Sequence, residues 1–341
     1  MFLNIISLFS GAGGLDLGFE QADFCPVIAY DVEPAAVQTY NYNRKGEIAR
    51  EADLSSLSGD DIVREINLLK LEEPPRGVVG GPPCQYFSNG NKSPRQRDDP
   101  RRTLPINYAS ILQRLNEEYK LDFFIMENVS GLAQPAHRDD FQRIIEMFEG
   151  AGFHVFHKIL DAYDYGVPQF RKRVFLVGWN RVLYPRALYD FPPGNPCGLT
   201  VEDRIGGLEE PCFWARGLNP DEFPEHPNHW TMNSISEKFR NPPPPDLRRT
   251  TRSFRRLAWG GPSYAVAYGH NEIHVHPNGY RRLSIYEAML LQGFPYGRGG
   301  YRLIGNLTEQ VTLVSDATPP PLACALAQSV LQFIEDHPRH E

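Results

Sequence analysis

The first half of the chain alternates short apolar runs with segments of helical periodicity, and this alternation limits the folds that it can adopt. Six of the runs have the length of β-strands, namely FLNIISLF, PVIAYD, GVVGG, DFFIMEN, VFHKIL and VFLVGW. Helical patterns lie between them at 34–43, 104–119 and 139–150. Because strands that alternate with helices form βαβ units, the pattern predicts an α/β fold with a mostly parallel sheet.

The composition and the periodicity of the sequence change after Trp179. Residues 181–280 are rich in proline, glycine, asparagine and histidine, and they have no clear period. This segment is too long for a linker, so we interpret it as an inserted, irregular module. Helical patterns return in LSIYEAMLLQ and in PPPLACALAQSVLQFIE. We therefore expect one domain formed by 1–180 and 281–341, and a second domain at 181–280.

The composition narrows the class of protein. The 341 residues are 41% hydrophobic and 23% charged, which is enough to bury a core and excludes a disordered chain. No apolar run approaches the roughly 18 residues of a membrane span, and MFLNIISLF lacks the basic start and cleavage site of a signal peptide. We therefore expect no membrane partner. Five scattered cysteines without a C-x-x-C pair favour a reducing cytoplasm over disulfides or a metal site.

The distribution of charge matters more than its sum. The net charge of −7 argues, taken alone, against a nucleic-acid partner. Partners respond to local fields, however, and positive charge is concentrated at 92–102, at 171–173 and at 248–256. The last run has five arginines in nine residues and no acid. A solvated surface loop is the alternative interpretation of that run.

A glycine-rich turn follows the first predicted strand in SLFSGAGGLDLGF. Gly11, Gly13 and Gly14 allow a tight turn and a close approach to a ligand at the carboxyl edge of the sheet. Asp31 ends the next strand, where a carboxylate can bind ribose hydroxyls. A nicotinamide fingerprint requires a third glycine where this turn has an acid, so the turn favours another nucleotide-like cofactor. Asp53, in EADL, is placed to reach an adenine amino group, and a turn or capping role is an equal alternative.

Reactive side chains follow later strands at the same predicted edge. GGPPCQYFS puts Cys84 between prolines and a glutamine, unlike the aliphatic setting of a buried structural cysteine. DFFIMENVSG ends a buried strand in Glu127, and a carboxylate there is costly unless it is paired or functional. In QFRKR, Arg171 and Arg173 alternate and so share one face of an extended segment. The pattern predicts a nucleophile, an acid and two cations; an inert loop cysteine and a surface β-edge are the structural alternatives.

In order and spacing, these segments resemble the cytosine-5 DNA methyltransferases. SLFSGAGGLDLGF resembles the first cofactor motif of that family, GGPPCQYFS its nucleophile loop, ENV its glutamate motif and QFRKR its two-arginine motif. RRLSIYEAMLLQGFP resembles the segment that follows the recognition region. The match covers residues 1–179 and about 281–341. It implies a Rossmann-like methyltransferase domain, with 181–280 as a small, irregular target-recognition domain.

The resemblance also implies a reaction and a cofactor. The thiolate of Cys84 attacks carbon 6 of a flipped-out cytosine, Glu127 binds ring nitrogen 3 and the exocyclic amine, and Arg171 and Arg173 bind the base carbonyl and hold Glu127. The methyl donor is S-adenosyl-L-methionine, and S-adenosyl-L-homocysteine is the product. The residues expected to bind the cofactor are Phe9, Ser10, Gly11, Gly13, Gly14, Leu15, Asp31, Val32, Asp53, Leu54 and Pro82.

Double-stranded DNA is the partner that the resemblance implies, with the insert reading bases and its arginines holding phosphates. The protein is expected to be a cytoplasmic monomer, associated with the nucleoid when it binds DNA, and a companion restriction or defence system stays open. A tRNA cytosine-5 methyltransferase and a catalytically silent DNA-binding relative are the alternatives. The residues expected to contact DNA are Gln85, Ser88, Arg95, Arg97, Arg248, Arg249, Arg252 and Arg255.

One segment departs from the family pattern. The family usually has a Gly-Asn-x-Val-Pro-Pro element beside the methionine end of the cofactor. Here the corresponding stretch is VSDATPPPLACALA, with Ser315, Asp316 and Thr318 in those places. Because the prolines and the helix remain, we expect the packing role of the element to survive, while its contacts with the cofactor differ.

Overall fold

The computed structural model describes residues 2–83, 104–242, 255–265 and 274–340, and a seven-stranded sheet is its largest element. The strands of this sheet follow the order β3-β2-β1-β4-β5-β8-β6. A short strand, β7, precedes β8 and pairs outside the sheet. The bounds are β1 Leu3–Leu8, β2 Phe24–Asp31, β3 Ala49–Glu51, β4 Gly77–Gly80, β5 Phe123–Val129, β6 Phe153–Asp161, β7 Gln169–Phe170 and β8 Lys172–Asn180.

The pairing confirms the predicted mostly parallel α/β sheet. Strand β1 pairs in parallel with β2 and β4, as do β2 with β3 and β4 with β5. Strand β8 runs antiparallel to β5. The three helices predicted in this half are also present, with ends within one residue of the expected positions: α2 Pro34–Arg44, α4 Leu104–Tyr119 and α5 Arg138–Gly150.

Helices cover both faces of the sheet, because nearly every residue of its central strands is apolar. On one face, alternate residues such as Leu8, Tyr30 and Met126 share a core with α3 (Gly59–Leu68), α4 and α5. On the other face, Phe123 packs on Phe19 of α1 (Gly14–Glu20). Trp179 there stacks on Phe333 of α10 (Pro320–Asp336), with ring centroids 3.9 Å apart.

The chain divides into two compact units. The first comprises Met1–Leu160, Lys172–Pro193 and Ala323–Glu341, and the second comprises Asp161–Arg171 and Gly194–Leu322. The second unit is built from short elements: α6 Val201–Ile205, β9 Cys212–Phe213, β10 Trp230–Thr231, α7 Glu237–Arg240, β11 Ser263–Tyr264, α8 Ile285–Leu291 and α9 Leu307–Asp316.

These units differ from the division at residues 180 and 280 that the sequence suggested. Part of the chain after residue 280 packs on the irregular segment: Arg281 pairs with Glu210 at 2.7 Å, and Tyr286 of α8 stacks on the His226 ring at 4.3 Å. The return of helical periodicity marked the predicted boundary, but periodicity does not report which segments pack together.

Within the described residues, no helix is both long and apolar enough to cross a membrane.

The close approach of β4 to β1 requires glycine at residue 80. A Cβ atom at Gly80 would lie 2.4 Å from the Leu8 carbonyl oxygen and 2.9 Å from Cε2 of Tyr108. We therefore expect Gly80→Ala to lower the free energy of unfolding by about 1–3 kcal/mol, the usual effect of overpacking. Gly150→Ala is the matched control in the same unit, because a Cβ there meets no atom within 4 Å. Urea unfolding of both variants tests this, and equal midpoints would contradict it.

Candidate active site

The turn after β1 has three residues in the left-handed region of backbone space. They are Phe9 (φ 55°), Gly11 (φ 53°) and Gly13 (φ 75°). Glycine adopts this region without strain, whereas Phe9 is an L-residue held there by its surroundings. Its ring stacks on Tyr108 of α4, with centroids 6.4 Å apart. A Cβ at Gly11 would meet no atom within 4 Å, so there is open space beside this backbone.

The Asp31 carboxylate ties this turn to the end of β2. One oxygen accepts a hydrogen bond from the Gly11 N–H at 2.7 Å, and the other accepts from the Glu33 N–H at 2.9 Å. Burial raises the pKa of Asp31, and these two backbone donors oppose that rise. Each carboxylate oxygen can accept a second hydrogen bond, so the group can still bind hydroxyls. The next residue, Val32, is an exposed apolar side chain.

The other predicted cofactor residues have varied surroundings. Asp53 is exposed and begins a turn, because its carboxylate accepts a hydrogen bond from the Ser55 N–H at 2.8 Å. The hydrogen bonds from Ser55 lower the pKa of Asp53. The turn role that the sequence left open is thus present, and exposure leaves the carboxylate accessible to a ligand. The members of the set that are buried are Ser10, Gly13, Gly14, Leu15, Leu54 and Pro82.

Glu127 forms an ion pair with Arg173. The carboxylate oxygen Oε1 lies 2.8 Å from Nε of Arg173, and both side chains are about nine-tenths buried. Strand pairing brings them together: Glu127 is opposite Phe175, and Arg173 lies two residues from Phe175 on the same face of β8. The guanidinium thereby compensates a carboxylate that would otherwise be costly at this depth.

The segment that leads to Cys84 lies against Glu127 and its neighbour. A Cβ at Gly81 would be 3.0 Å from Oε2 of Glu127, so glycine at this position avoids crowding the carboxylate. The Asn128 side chain donates a hydrogen bond to the Pro82 carbonyl at 3.1 Å. Cys84 itself, with Gln85, Ser88, Arg95 and Arg97, lies outside the described residues.

Arg171 has different partners from Arg173. Its side chain is fully buried, and Nη2 donates hydrogen bonds to the carbonyl oxygens of Ser315 at 2.7 Å and Asp316 at 3.3 Å. These carbonyls end α9, where a helix leaves its last acceptors without intrahelical partners. The alternation rule predicts a common face for Arg171 and Arg173; Nη2 of Arg171 binds the end of α9, whereas Arg173 pairs with Glu127.

The same segment has a second buried clamp that sequence reasoning missed. The amide nitrogen of Gln292 donates to the carbonyl oxygens of Val314 at 2.8 Å and Ala317 at 2.5 Å. Ser315, one of the residues that depart from the family pattern, bonds through its hydroxyl to the Val311 carbonyl at 2.6 Å. The signal in the sequence was a glutamine at the end of an apolar run, in LLQGFP. In the structure this glutamine is fully buried, and a buried amide requires hydrogen-bond partners.

Only one of the predicted DNA contacts in the arginine run is described. Arg255 is exposed, and its guanidinium carbon lies 3.9 Å from the ring centroid of Tyr264. Arg256, by contrast, donates to the Pro277 carbonyl from Nε at 2.8 Å, so part of the run is structural. Arg248, Arg249 and Arg252 lie outside the described residues. No group of potential metal ligands occurs in the described part of the chain.

Fold and site together define a doubly wound α/β protein with a nucleotide-type turn beside a carboxylate–arginine pair. Residues 3–332 match the C-5 cytosine-specific DNA methylase family, and the chain belongs to that family. It is a DNA cytosine-5 methyltransferase by this membership, and the family implies an S-adenosylmethionine-type cofactor.

Similar proteins cover nearly all of the chain. It is 33% identical to the type II methyltransferase M.MthTI of Methanothermobacter thermautotrophicus, over 98% of this chain and 99% of that protein. It is 30% identical to the type II methyltransferase M.FnuDI of Fusobacterium nucleatum, over 98% and 96%. The solved structure of S. pombe Dnmt2 methyltransferase shares the fold with a TM-score of 0.64 at 15% identity, over 98% of this chain and 99% of that one.

The burial of Arg171 predicts a structural effect that Lys172 does not share. Arg171→Met leaves the Ser315 and Asp316 carbonyls without their donor, so we expect a loss of about 1–3 kcal/mol in the free energy of unfolding. Lys172→Met, at the exposed position next to it, should change stability by less than about 0.5 kcal/mol. Chemical denaturation measures both. A wild-type midpoint for Arg171→Met would show that other donors satisfy these carbonyls.

Proposed function

We propose that this protein methylates carbon 5 of a flipped-out cytosine in a specific double-stranded DNA sequence through a covalent bond to Cys84. The observation that supports this best is the buried Glu127–Arg173 ion pair, which lies beside the Gly81–Pro82 segment. That segment leads directly to Cys84 in the sequence. A paired carboxylate next to the loop of a nucleophile is the arrangement that activation of a pyrimidine ring requires.

Cys84 supplies the nucleophile in this proposal. Carbon 5 of cytosine is a poor nucleophile until the ring is activated, so the Cys84 thiolate first adds to carbon 6. The electron pair moves into the ring and makes carbon 5 an enamine carbon. After carbon 5 has accepted a methyl group, it loses its proton, and the carbon–sulfur bond breaks to release the thiolate. The reacting atoms are hidden in a duplex, so the base must leave the helix, which costs a few kcal/mol.

Glu127 and Arg173 stabilise the charge that this addition creates. Glu127 hydrogen-bonds ring nitrogen 3 and the exocyclic amine, and for the first bond the carboxyl group must hold a proton or acquire one. Arg173 fixes the Glu127 carboxylate through its 2.8 Å ion pair, which supports a further role in this proposal: binding the base carbonyl with its remaining donors. Arg171 serves as a positioning residue, because its buried guanidinium already binds the end of α9.

The turn after β1 fits an adenosyl group. The open space beside Gly11 leaves room for the ligand, the half-buried Asp31 carboxylate supplies a ribose acceptor, and the exposed apolar Val32 supplies a surface for adenine. Asp53, Leu54 and Pro82 complete the proposed set. S-adenosylmethionine, when bound, supplies the methyl group. Arg171 and Gln292 donate hydrogen bonds to backbone carbonyls in 314–317, the stretch that differs from the family pattern. These bonds hold the backbone there and do not depend on the side chains of that stretch.

The segment 181–280 is proposed to select the DNA sequence. The motifs of the sheet account for the cofactor and the chemistry, and the arginine run is the densest local positive charge in a chain of net charge −7. We further propose that the protein is a monomer and that it works beside a companion restriction or defence system; for the companion system, the likeness to type II methyltransferases such as M.FnuDI is the support. Incubation with labelled S-adenosylmethionine and either duplex DNA or tRNA tests the substrate class. Label in tRNA alone would favour the RNA alternative, and label in neither would favour a silent relative.

Cys84 should form a persistent adduct with DNA that contains 5-fluorocytosine at the methylation site. Fluorine at carbon 5 cannot leave as a proton does, so elimination of the thiolate is blocked. A complex stable on a denaturing gel is expected for the wild type and absent for Cys84→Ser. Cys25→Ser is the matched control, because Cys25 is an exposed thiol elsewhere in the first unit. An adduct that survives Cys84→Ser would assign the nucleophile to another residue.

Asp31 should contribute directly to cofactor affinity. Asp31→Ala removes a charged acceptor, and we expect binding of S-adenosylmethionine to weaken by about 1.5–3 kcal/mol. Asp31→Asn keeps one acceptor for the Gly11 N–H, so it separates the loss of the turn contact from the loss of the ribose contact. Asp139→Asn, at an exposed position in α5, is the control. Calorimetry that gives wild-type affinity for a folded Asp31→Ala would exclude Asp31 from the site.

A further inference from the structure

A two-stranded ribbon in the second unit has one buried polar face and one exposed aromatic face. Strands β7 and β11 pair in parallel, with Ser263 opposite Gln169 and Tyr264 opposite Phe170. Gln169 and Ser263 are buried and hydrogen-bond each other at 3.4 Å. Side chains alternate along a strand, so Phe170 and Tyr264 lie together on the opposite face, where they are 46% and 43% exposed.

Two further side chains complete the exposed face. The Tyr163 ring packs on Phe170 with centroids 4.9 Å apart, and the Arg255 guanidinium lies over the Tyr264 ring at 3.9 Å. We call Tyr163, Phe170, Arg255 and Tyr264 the aromatic platform. It is rigidly supported, because the Asp161 carboxylate accepts hydrogen bonds from the backbone N–H groups of Arg171 and Tyr163.

Single exposed aromatic residues are common on protein surfaces, but this arrangement is more specific. Two rings are register partners, a third ring supports one of them, and a cation covers the other. Aromatic faces combined with an arginine are what proteins use to stack unpaired nucleobases. The sequence beside the platform has the matching charge, since Arg255 belongs to the acid-free arginine run at 248–256. Phe170 lies three residues before Arg173 in the sequence.

We propose that the aromatic platform stacks on a nucleobase of the opened DNA duplex and so stabilises the flipped state. This inference rests on the proposed function, which requires a cytosine to leave the helix and thereby exposes the faces of neighbouring and partner bases. The platform selects for an opened duplex rather than for a base sequence, because every base has a π-face. It therefore favours flipping at any site that the recognition segment selects.

The experiment compares Kd values for a duplex with the methylation site and for the same duplex with a mismatch at the target cytosine. Phe170→Leu and Tyr264→Leu keep an apolar side chain but remove the ring. We expect each to weaken binding of the mismatched duplex by about 5- to 150-fold, the range for loss of a base–aromatic stack. Phe170→Tyr and Tyr264→Phe keep the ring and should bind within about twofold of wild type. Tyr296→Leu, an exposed tyrosine outside the platform, is the matched control.

Two further readouts make each outcome decisive. Loss of stacking should leave the dependence of Kd on salt unchanged, whereas loss of a phosphate contact lowers that slope by about one unit. Photocrosslinking of 5-iodouracil DNA to the wild-type protein should label Phe170 or Tyr264 and needs no variant to fold. Wild-type affinity in both leucine variants, or crosslinks confined to other residues, would overturn the platform. If either of these results is found and the wild type still methylates DNA, only the platform is excluded and the proposed function stands. If the wild type neither binds nor methylates DNA, the proposed function fails.

Discussion

The active site that we propose depends on the fact that parallel strands end at the same edge of a sheet. Strands β1, β2, β4 and β5 are neighbours and run in one direction, so the glycine turn, Asp31, the Gly81–Pro82 segment and Glu127 all follow or end strands at that edge. No contact between distant loops has to be formed independently. The helices on both faces bury the strands and fix the edge, and the residues at the edge remain free to serve chemistry.

The buried carboxylate is tolerated because strand β8, which runs antiparallel to β5, brings a cation next to it. Strand β8 runs against β5, and this direction puts Arg173 diagonally across from Glu127 on the same face. A carboxylate at this depth without a partner would shift its protonation or destabilise the fold. Glycine at residue 81 then leaves room beside the carboxylate. The ion pair is therefore a condition of the fold and, in the function that we propose, the part of the site that acts on a base.

Arg171 and Arg173 show where sequence reasoning reached its limit. Both are arginines in one short extended motif, and alternation predicted a common face. In the structure, Arg173 pairs with the Glu127 carboxylate. Arg171 instead donates to carbonyls at the end of α9, among them that of Ser315, 144 residues further along the chain. Gln292 was missed for the same reason, since its acceptors in 314 and 317 belong to another helix. Such partners are set by long-range packing, which no local pattern reports.

The sequence by itself determined the parallel α/β core, six of the seven strands of the sheet in their order along the chain and the residues that end them; the three-residue strand β3 was too short to show a pattern. Local periodicity, glycine positions and polar residues at the ends of apolar runs are sufficient for that, because each depends on nearby residues only. The tertiary structure decided which charges pair, which buried polar groups close helix ends, and which exposed rings share a face. Tyr264 and Phe170 are 94 residues apart in the sequence, and only the pairing of β7 with β11 makes them neighbours. Strand register and burial are properties of the whole packed chain, so they appear only when it is folded.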